Sequence, residues 1–302
     1  MLRPALARLH DSPAALLMFT ALFWAGNAVA GQLAVGEIAP FQLVLLRWVL
    51  VAAVLGVLYG QELRDHWPAV RGQLGFVVAM ASLGFTAFNG LFYVAALSTS
   101  AVNIGILQGS IPVFVLLLAY AAYGTRISRM QAVGVMATLI GVVLVATKGA
   151  PLAVLSLGVA TGDGLMVLAC LLYAFYAVCL PRRPAVPGRA FFALMSMIAA
   201  VTSVPFALAE AAWSAPGWPT MTGLAVMLYV AIFPSCLAQL FFLRGVDLIG
   251  PGRAGVYVNL VPVFASLLAV LLLGERFAGF HALALGLVLG GIWLAQREAA
   301  RS

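Results

Sequence analysis

Charge is scarce in this chain. Asp, Glu, Lys and Arg make up 8% of its 302 residues, against about a quarter in soluble domains. That leaves too little polar surface to wrap a globule in water. Cysteines are few and odd in number, at 170, 179 and 236, inside or at the ends of apolar stretches. They exclude a disulfide framework and read as buried thiols. Three histidines, His10, His66 and His281, stand far apart. With no Walker A run and no G-x-S-x-G, the sequence carries no enzyme signature and no metal or cofactor motif. The net charge of +7 comes from basic residues spread singly or in twos, and no run of them could track a phosphate backbone, which excludes nucleic acid. All nine acids, Asp11, Glu37, Glu62, Asp65, Asp163, Glu210, Asp247, Glu275 and Glu298, fall at segment ends or in loops. Proton-driven pumps keep a carboxylate in the membrane interior, so strict proton dependence is not expected.

What fills the chain is apolar: 64% of residues are hydrophobic. Runs of 18 or more recur, the length that crosses about 30 Å of hydrocarbon. Barrel strands would alternate over about ten residues, and nothing here alternates. The expected fold class is all-α, a polytopic membrane protein. Its ten transmembrane helices fall near 13–31, 40–59, 72–97, 100–122, 130–147, 163–180, 190–211, 221–243, 253–273 and 278–295. Ala28-Val29-Ala30 resembles a signal-peptidase site, so a cleaved signal peptide is the rival reading of the first segment. Against it, Phe23, Trp24 and Asn27 interrupt the apolar region, and the segment has a counterpart near Leu168 to Tyr176.

The stretch PVFVLLLAYAAYGTR, Pro112 to Arg126, recurs as PVFASLLAVLLLGER, Pro262 to Arg276, with eight of fifteen positions identical at an offset of 150. The same offset pairs Phe92 with Phe242, Gly105 with Gly255 and Gly141 with Gly291. The chain therefore reads as two related halves, 13–147 and 161–296, of five helices each, joined by the weakly patterned link 148–162. Five is odd, so the second half enters the membrane from the other side. Two inverted repeats follow, an arrangement that lets one packing serve two access states.

Thirteen basic residues, Arg3, Arg8, Arg64, Arg71, Arg126, Arg129, Arg182, Arg183, Arg189, Arg244, Arg253, Arg297 and Arg301, fall on the side of the N-terminus. Only Lys148 and Arg276 fall opposite. By the positive-inside rule both termini are expected in the cytoplasm and the protein in the cell inner membrane, surrounded by lipid.

Arg47 is the one basic residue well inside an apolar run, seven residues past Pro40 and so about 10 Å along the helix. A charge there faces protein or water, or snorkels to the interface as a structural anchor; facing a cavity, it would contact a substrate carboxylate. Asn27, Asn89, Asn103, Gln108, Gln239 and Asn259 are amides within or near apolar helices. Each needs another helix or a cavity to satisfy it, as interhelical glue or as a substrate contact. Trp24, Tyr93, Tyr173, Tyr176 and Tyr257 offer amphipathic surfaces that suit a cavity or an interface. Pro112, Pro234 and Pro262 interrupt helical bonding and expose carbonyls or merely kink the helix.

Several stretches carry a family resemblance: FWAGNAVAG from Phe23 to Gly31, the Pro40 and Arg47-Trp48 spacing, FYVAALSTSAVN from Phe92 to Asn103, QGSIPVF from Gln108 to Phe114, and LVPVFASLLAVLLLGE from Leu260 to Glu275. Over residues 13 to 296 the chain resembles the drug/metabolite transporter superfamily, specifically its ten-helix EamA-domain exporters. The resemblance implies paired inverted EamA repeats around a cavity opened alternately to each side. It implies export of a small molecule, with amino acids, aromatic ones included, as the favoured class. Other metabolites or drugs are the alternative cargo, and a non-transporting membrane scaffold is the alternative of another class. The Gly-Glu closing the family's fourth helix stands here as Gly274-Glu275, while the first half has Gly124-Thr125. Oligomeric state does not follow.

Overall fold

A computed structural model describes residues 11–150, 160–215 and 217–299. Arg3, Arg8 and Arg301 of the charge count, and most of the link 148–162, lie outside these. Ten helices are long and apolar enough to cross a membrane. They are α1 (Pro13–Leu33), α2 (Pro40–Asp65), α3 (Leu74–Ala96), α4 (Ala101–Tyr123), α5 (Arg129–Ala146), α6 (Thr161–Arg182), α7 (Gly188–Ser214), α8 (Met221–Ile249), α9 (Pro251–Leu273) and α10 (Gly279–Gln296). The chain is an all-α, multi-pass membrane protein. Large aliphatic side chains such as Val57, Val201, Leu208 and Leu271 stay exposed on its outside, where lipid is their solvent.

The helices begin where the sequence supplies a start. Pro13 and Pro40 stand at the first position of α1 and α2, where a missing N–H costs nothing. The free N–H groups of Phe41 and Gln42 donate to the Glu210 carboxylate of α7 at 2.9 to 3.2 Å. Those of Ala101 and Val102 donate to Glu275 at 2.8 and 2.9 Å, so each carboxylate caps another helix's positive end. The spans α2 and α8 each run six residues beyond the expected ends at 59 and 243.

Four interior helices are not continuous. In α3 a turn of π-helix occupies Ser82–Ala87, and in α8 another occupies Ala231–Leu237. In α4 the regular helix breaks at Gly109 and Ser110, and in α9 at Asn259 and Leu260, each just before a proline one residue into the next segment. Both helices end on a left-handed glycine, Gly124 at φ 66° and Gly274 at φ 65°, a conformation a side chain resists. The paired irregularities keep the 150-residue offset to within a residue.

Packing repeats as well. Helix α2 lies along α7, and α5 along α10; α1 packs on α8 and α9 as α6 packs on α3 and α4. The α5–α10 contact is close because it is glycine on glycine: a Cβ at Gly134 would sit 2.4 Å from the Gly291 carbonyl oxygen.

One correspondence is missing. The first half of α4, Ala101–Gln108, is sunk against the second half of α9 and against α1, α6 and α10. The first half of α9, Pro251–Val258, rests on α8 and α1 and buries only Ala254. Ile106 is 0% exposed, whereas Val256, 150 residues on, is 55% exposed. A Cβ at Gly105 would press on Ala265 at 2.4 Å; one at Gly255 would meet nothing within 4 Å. The bundle is sealed at the end that carries the α3–α4 link, and the opposite end lacks the equivalent seal.

Candidate functional site

Arg47 is the centre of the interior. It leaves α2 one turn after the Glu210 cap and is 5% exposed. Its Nε donates to Ser235 Oγ at 2.5 Å. Its Nη1 donates to Asn89 Oδ1 and Tyr93 Oη, both at 2.7 Å. The Tyr93 hydroxyl passes its own proton to Asn27 Oδ1 at 2.8 Å. The partners are in turn fixed by the irregular turns. Asn89 Nδ2 donates to the Phe85 carbonyl at 2.6 Å, and Ser235 Oγ donates to the Val230 carbonyl. Arg47 thus bridges the π-turn of α3 and the π-turn of α8, the kind of local irregularity that recurs at functional sites. The guanidinium carbon also lies 5.0 Å from the Trp48 ring centre and 5.9 Å from that of Tyr93.

All of these partners are neutral. Among the described residues no carboxylate lies within ion-pair distance of Arg47, and its Nη2 makes no hydrogen bond. The group faces a cavity of about 150 Å³ whose walls include Trp24, Trp48, Phe85, Phe88, Tyr173 and Phe192. Three further polar atoms in side chains of this lining are buried without partners: Trp48 Nε1, Gln108 Oε1 and Asn259 Oδ1.

Of the twelve residues expected from sequence, eight line this cavity: Trp24, Asn27, Arg47, Asn89, Gln108, Tyr173, Gln239 and Asn259. Trp24 Nε1 also donates to the Pro234 carbonyl at 3.1 Å, taking up a backbone oxygen at the proline. Tyr93 joins the site through Arg47 rather than through the wall. Tyr176 is buried behind it, edge-on to Phe85 and Tyr173 with ring centres 5.4 Å away in each case. Tyr257 is not in the wall; the first half of α9 enters it through the neighbouring Val258. Ser235, Trp48 and Phe85 belong to the site and were not expected there; the one signal for Ser235 was its neighbour Pro234.

Asn103 lies elsewhere, in the seal at the α3–α4 end. Its Nδ2 donates to both oxygens of Asp163 at 3.1 and 3.2 Å, and Thr99 Oγ1 donates to the same carboxylate. The Ala278 N–H donates to His281 Nδ1 at 3.0 Å, which leaves Nε2 to donate to Asn103 Oδ1 at 3.1 Å. Asp163 sits at a helix start, as expected from sequence, yet it is 0% exposed. With Glu275 on the start of α4, these side chains tie α3, α4, α6, α9 and α10 together beneath an open depression of about 550 Å³. At the offset of 150 the other half has Pro13, Thr125, Gln131 and Arg253 in place of Asp163, Glu275, His281 and Asn103, so it has no copy of this network.

Known proteins share this architecture. The uncharacterized transporter YetK of Bacillus subtilis is 25% identical over 270 residues, 89% of this chain and 82% of its own length. The uncharacterized transporter YyaM of the same organism is 24% identical over 290 residues, 92% of this chain and 91% of its own. An uncharacterized transporter of Archaeoglobus fulgidus is 27% identical over 280 residues, 92% and 95% of the two chains. One solved crystal structure has the same fold, with a TM-score of 0.64 at 22% identity over 96% of this chain and 100% of that one. The EamA-like transporter family matches twice, over residues 12–147 and 160–296. Matched over nearly all of its length, the chain belongs to the EamA-like transporter family and is a small-molecule transporter.

Proposed function

We propose that this protein exports amino acids, aromatic ones included, across the inner membrane by alternating access of two inverted five-helix halves. The observation that carries the cargo class is Arg47: a buried guanidinium held by neutral groups, with Nη2 free at an aromatic-walled cavity. A carboxylate leaving water for an apolar passage needs a fixed cationic partner, and arginine's planar fork suits that geometry. The aromatic walls suit an apolar side chain.

Inversion of the halves is supported by the odd number of helices in each, by the paired π-turns and breaks, and by the exchanged packing of α1 with α8 and of α6 with α3. Alternation is supported by the one correspondence that fails: the seal made by α4 has no copy made by α9. Cytoplasmic termini rest on the thirteen-to-two distribution of basic residues.

The test is uptake by proteoliposomes of L-phenylalanine and of its amide, for wild type and R47K, normalised to folded protein. R47K is expected to raise the half-saturation concentration for the acid about tenfold, equivalent to about 1.4 kcal/mol, with little change for the amide. Equal impairment of both would leave Arg47 as an anchor of α2. No saturable flux across a broad metabolite panel would favour a scaffold.

A further inference from the structure

We infer that the cavity has a second pole, built from Gln108 and Asn259, that reads a hydrogen-bond donor on the cargo, so that it selects zwitterions over simple carboxylates. This rests on the reading of Arg47 as the carboxylate contact. Among the described residues, five buried side-chain polar atoms lack a partner, and three of them belong to the lining of this one cavity. They divide by chemistry. Trp48 Nε1 is a donor, on a ring whose centre lies 5.0 Å from the Arg47 guanidinium carbon. Gln108 Oε1 and Asn259 Oδ1 are acceptors. An unpaired carbonyl oxygen out of reach of water is costly, and two in the lining of one cavity call for a donor, which an occupant offers once either amide turns toward it.

Their placement adds to the case. Gln108 ends the first half of α4, and Asn259 occupies the break that ends the first half of α9. Both acceptors therefore sit at the carboxyl ends of short helices, where the last carbonyls carry partial negative charge. Asn259 Nδ2 is held by Gln296 Oε1 at 2.9 Å, which turns its oxygen away from that contact. The cavity is bipolar: donors from α2, carried by the π-turns of α3 and α8, and acceptors from the breaks of α4 and α9. An α-ammonium group, with three donors and a positive charge, matches the second pole as a carboxylate matches the first.

Three probes separate the poles on the purified full chain in proteoliposomes: L-phenylalanine, 3-phenylpropionate, which lacks the ammonium, and L-phenylalaninamide, which lacks the carboxylate. Wild type is expected to take phenylalanine with a half-saturation concentration lower by about tenfold or more than that for 3-phenylpropionate. The near-isosteric variants Q108M and N259L should erode that preference. Phenylalanine and its amide lose affinity, and 3-phenylpropionate stays put. Equal half-saturation for phenylalanine and 3-phenylpropionate in wild type would overturn the second pole without any variant. Loss of all three probes in the same proportion in folded Q108M and N259L would also overturn it. The Arg47 reading fails separately, when R47K impairs the amide as much as the acid; a preference for the ammonium that Q108M and N259L still erode would then leave the second pole standing alone.

Discussion

Ser235 accepts the Nε–H of Arg47 at 2.5 Å across 188 residues of chain. The serine lies in the π-turn of α8, and its own proton goes to the Val230 carbonyl. One hydroxyl thus fixes the guanidinium from the opposite half of the protein. In Ser235→Ala, Nε loses its partner while still buried. A hydrogen bond to a charged group is worth about 1.5–3 kcal/mol, so S235A should melt at a lower temperature and bind carboxylate cargo more weakly. Ser235→Thr, which keeps the hydroxyl, should restore much of both. Unchanged melting and uptake in S235A would show that the contact does not position Arg47.

Gly105 and Gly255 are equivalent in sequence and opposite in environment. A side chain at Gly105 collides with Ala265, while Gly255 has open space. Gly105→Leu should therefore destabilise this conformation by about 1–3 kcal/mol through overpacking. Gly255→Leu should leave the melting temperature nearly unchanged, yet it should abolish transport. In the exchanged state Gly255 would take the place that Gly105 has here, against Val115. Full flux in folded G255L would contradict alternation between equivalent halves.

Asp163 and His281 meet through Asn103 in the seal. Asp163→Asn keeps the size of the side chain but turns one acceptor into a donor that faces the donors of Thr99 and Asn103. Leaving a buried group mismatched costs about 1–3 kcal/mol, so D163N should lower the melting temperature and speed reaction of a cysteine placed at Ala101, 0% exposed in the seal, with a water-soluble thiol reagent. An unaltered labelling rate would show that the seal does not depend on this carboxylate.

Orientation can be read on intact cells. In a background without Cys170, Cys179 and Cys236, single cysteines replace Arg182 and Trp218. Trp218 is 94% exposed. An impermeant thiol reagent should label the Trp218 site and spare the Arg182 site; the reverse pattern would invert the assigned topology.

Much of this was written in the chain, and the reasons for what was not are physical. Arg47 stood out because a charge inside an apolar run needs a reason to be there. The breaks at Pro112 and Pro262 were visible because proline cannot donate. The π-turn at Ser82–Ala87 was not visible: it holds no proline, and its shape is imposed by Arg47 and Asn89, by packing on Tyr176 at Gly84, and by neighbours in α7. Ser235 was hidden because a serine in a helix more often bonds its own backbone, which this one does as well. The acids read only as residues of segment ends and loops. Their partners, Thr99 and Asn103 for Asp163 and the starts of α2 and α4 for Glu210 and Glu275, lie far off in sequence. Tyr257 was expected in the cavity because its helix was, but on that helix half it is the next residue, Val258, that lines the wall.

The seal of Asp163, Asn103, His281 and Glu275 has no copy at the other end. Two gates of unequal strength make the resting populations of the two facing states unequal, even though the halves share a design. Apparent affinity scales with the fraction of molecules in the competent state. Half-saturation should thus be reached at lower concentration from the weakly sealed face, which the basic residues assign to the cytoplasm, than from the other. A carrier without an energy source cannot alter the final distribution of its cargo. This lopsidedness sets instead how soon each side responds, with a low threshold for release from a cell whose internal pool has begun to rise and a high one for return.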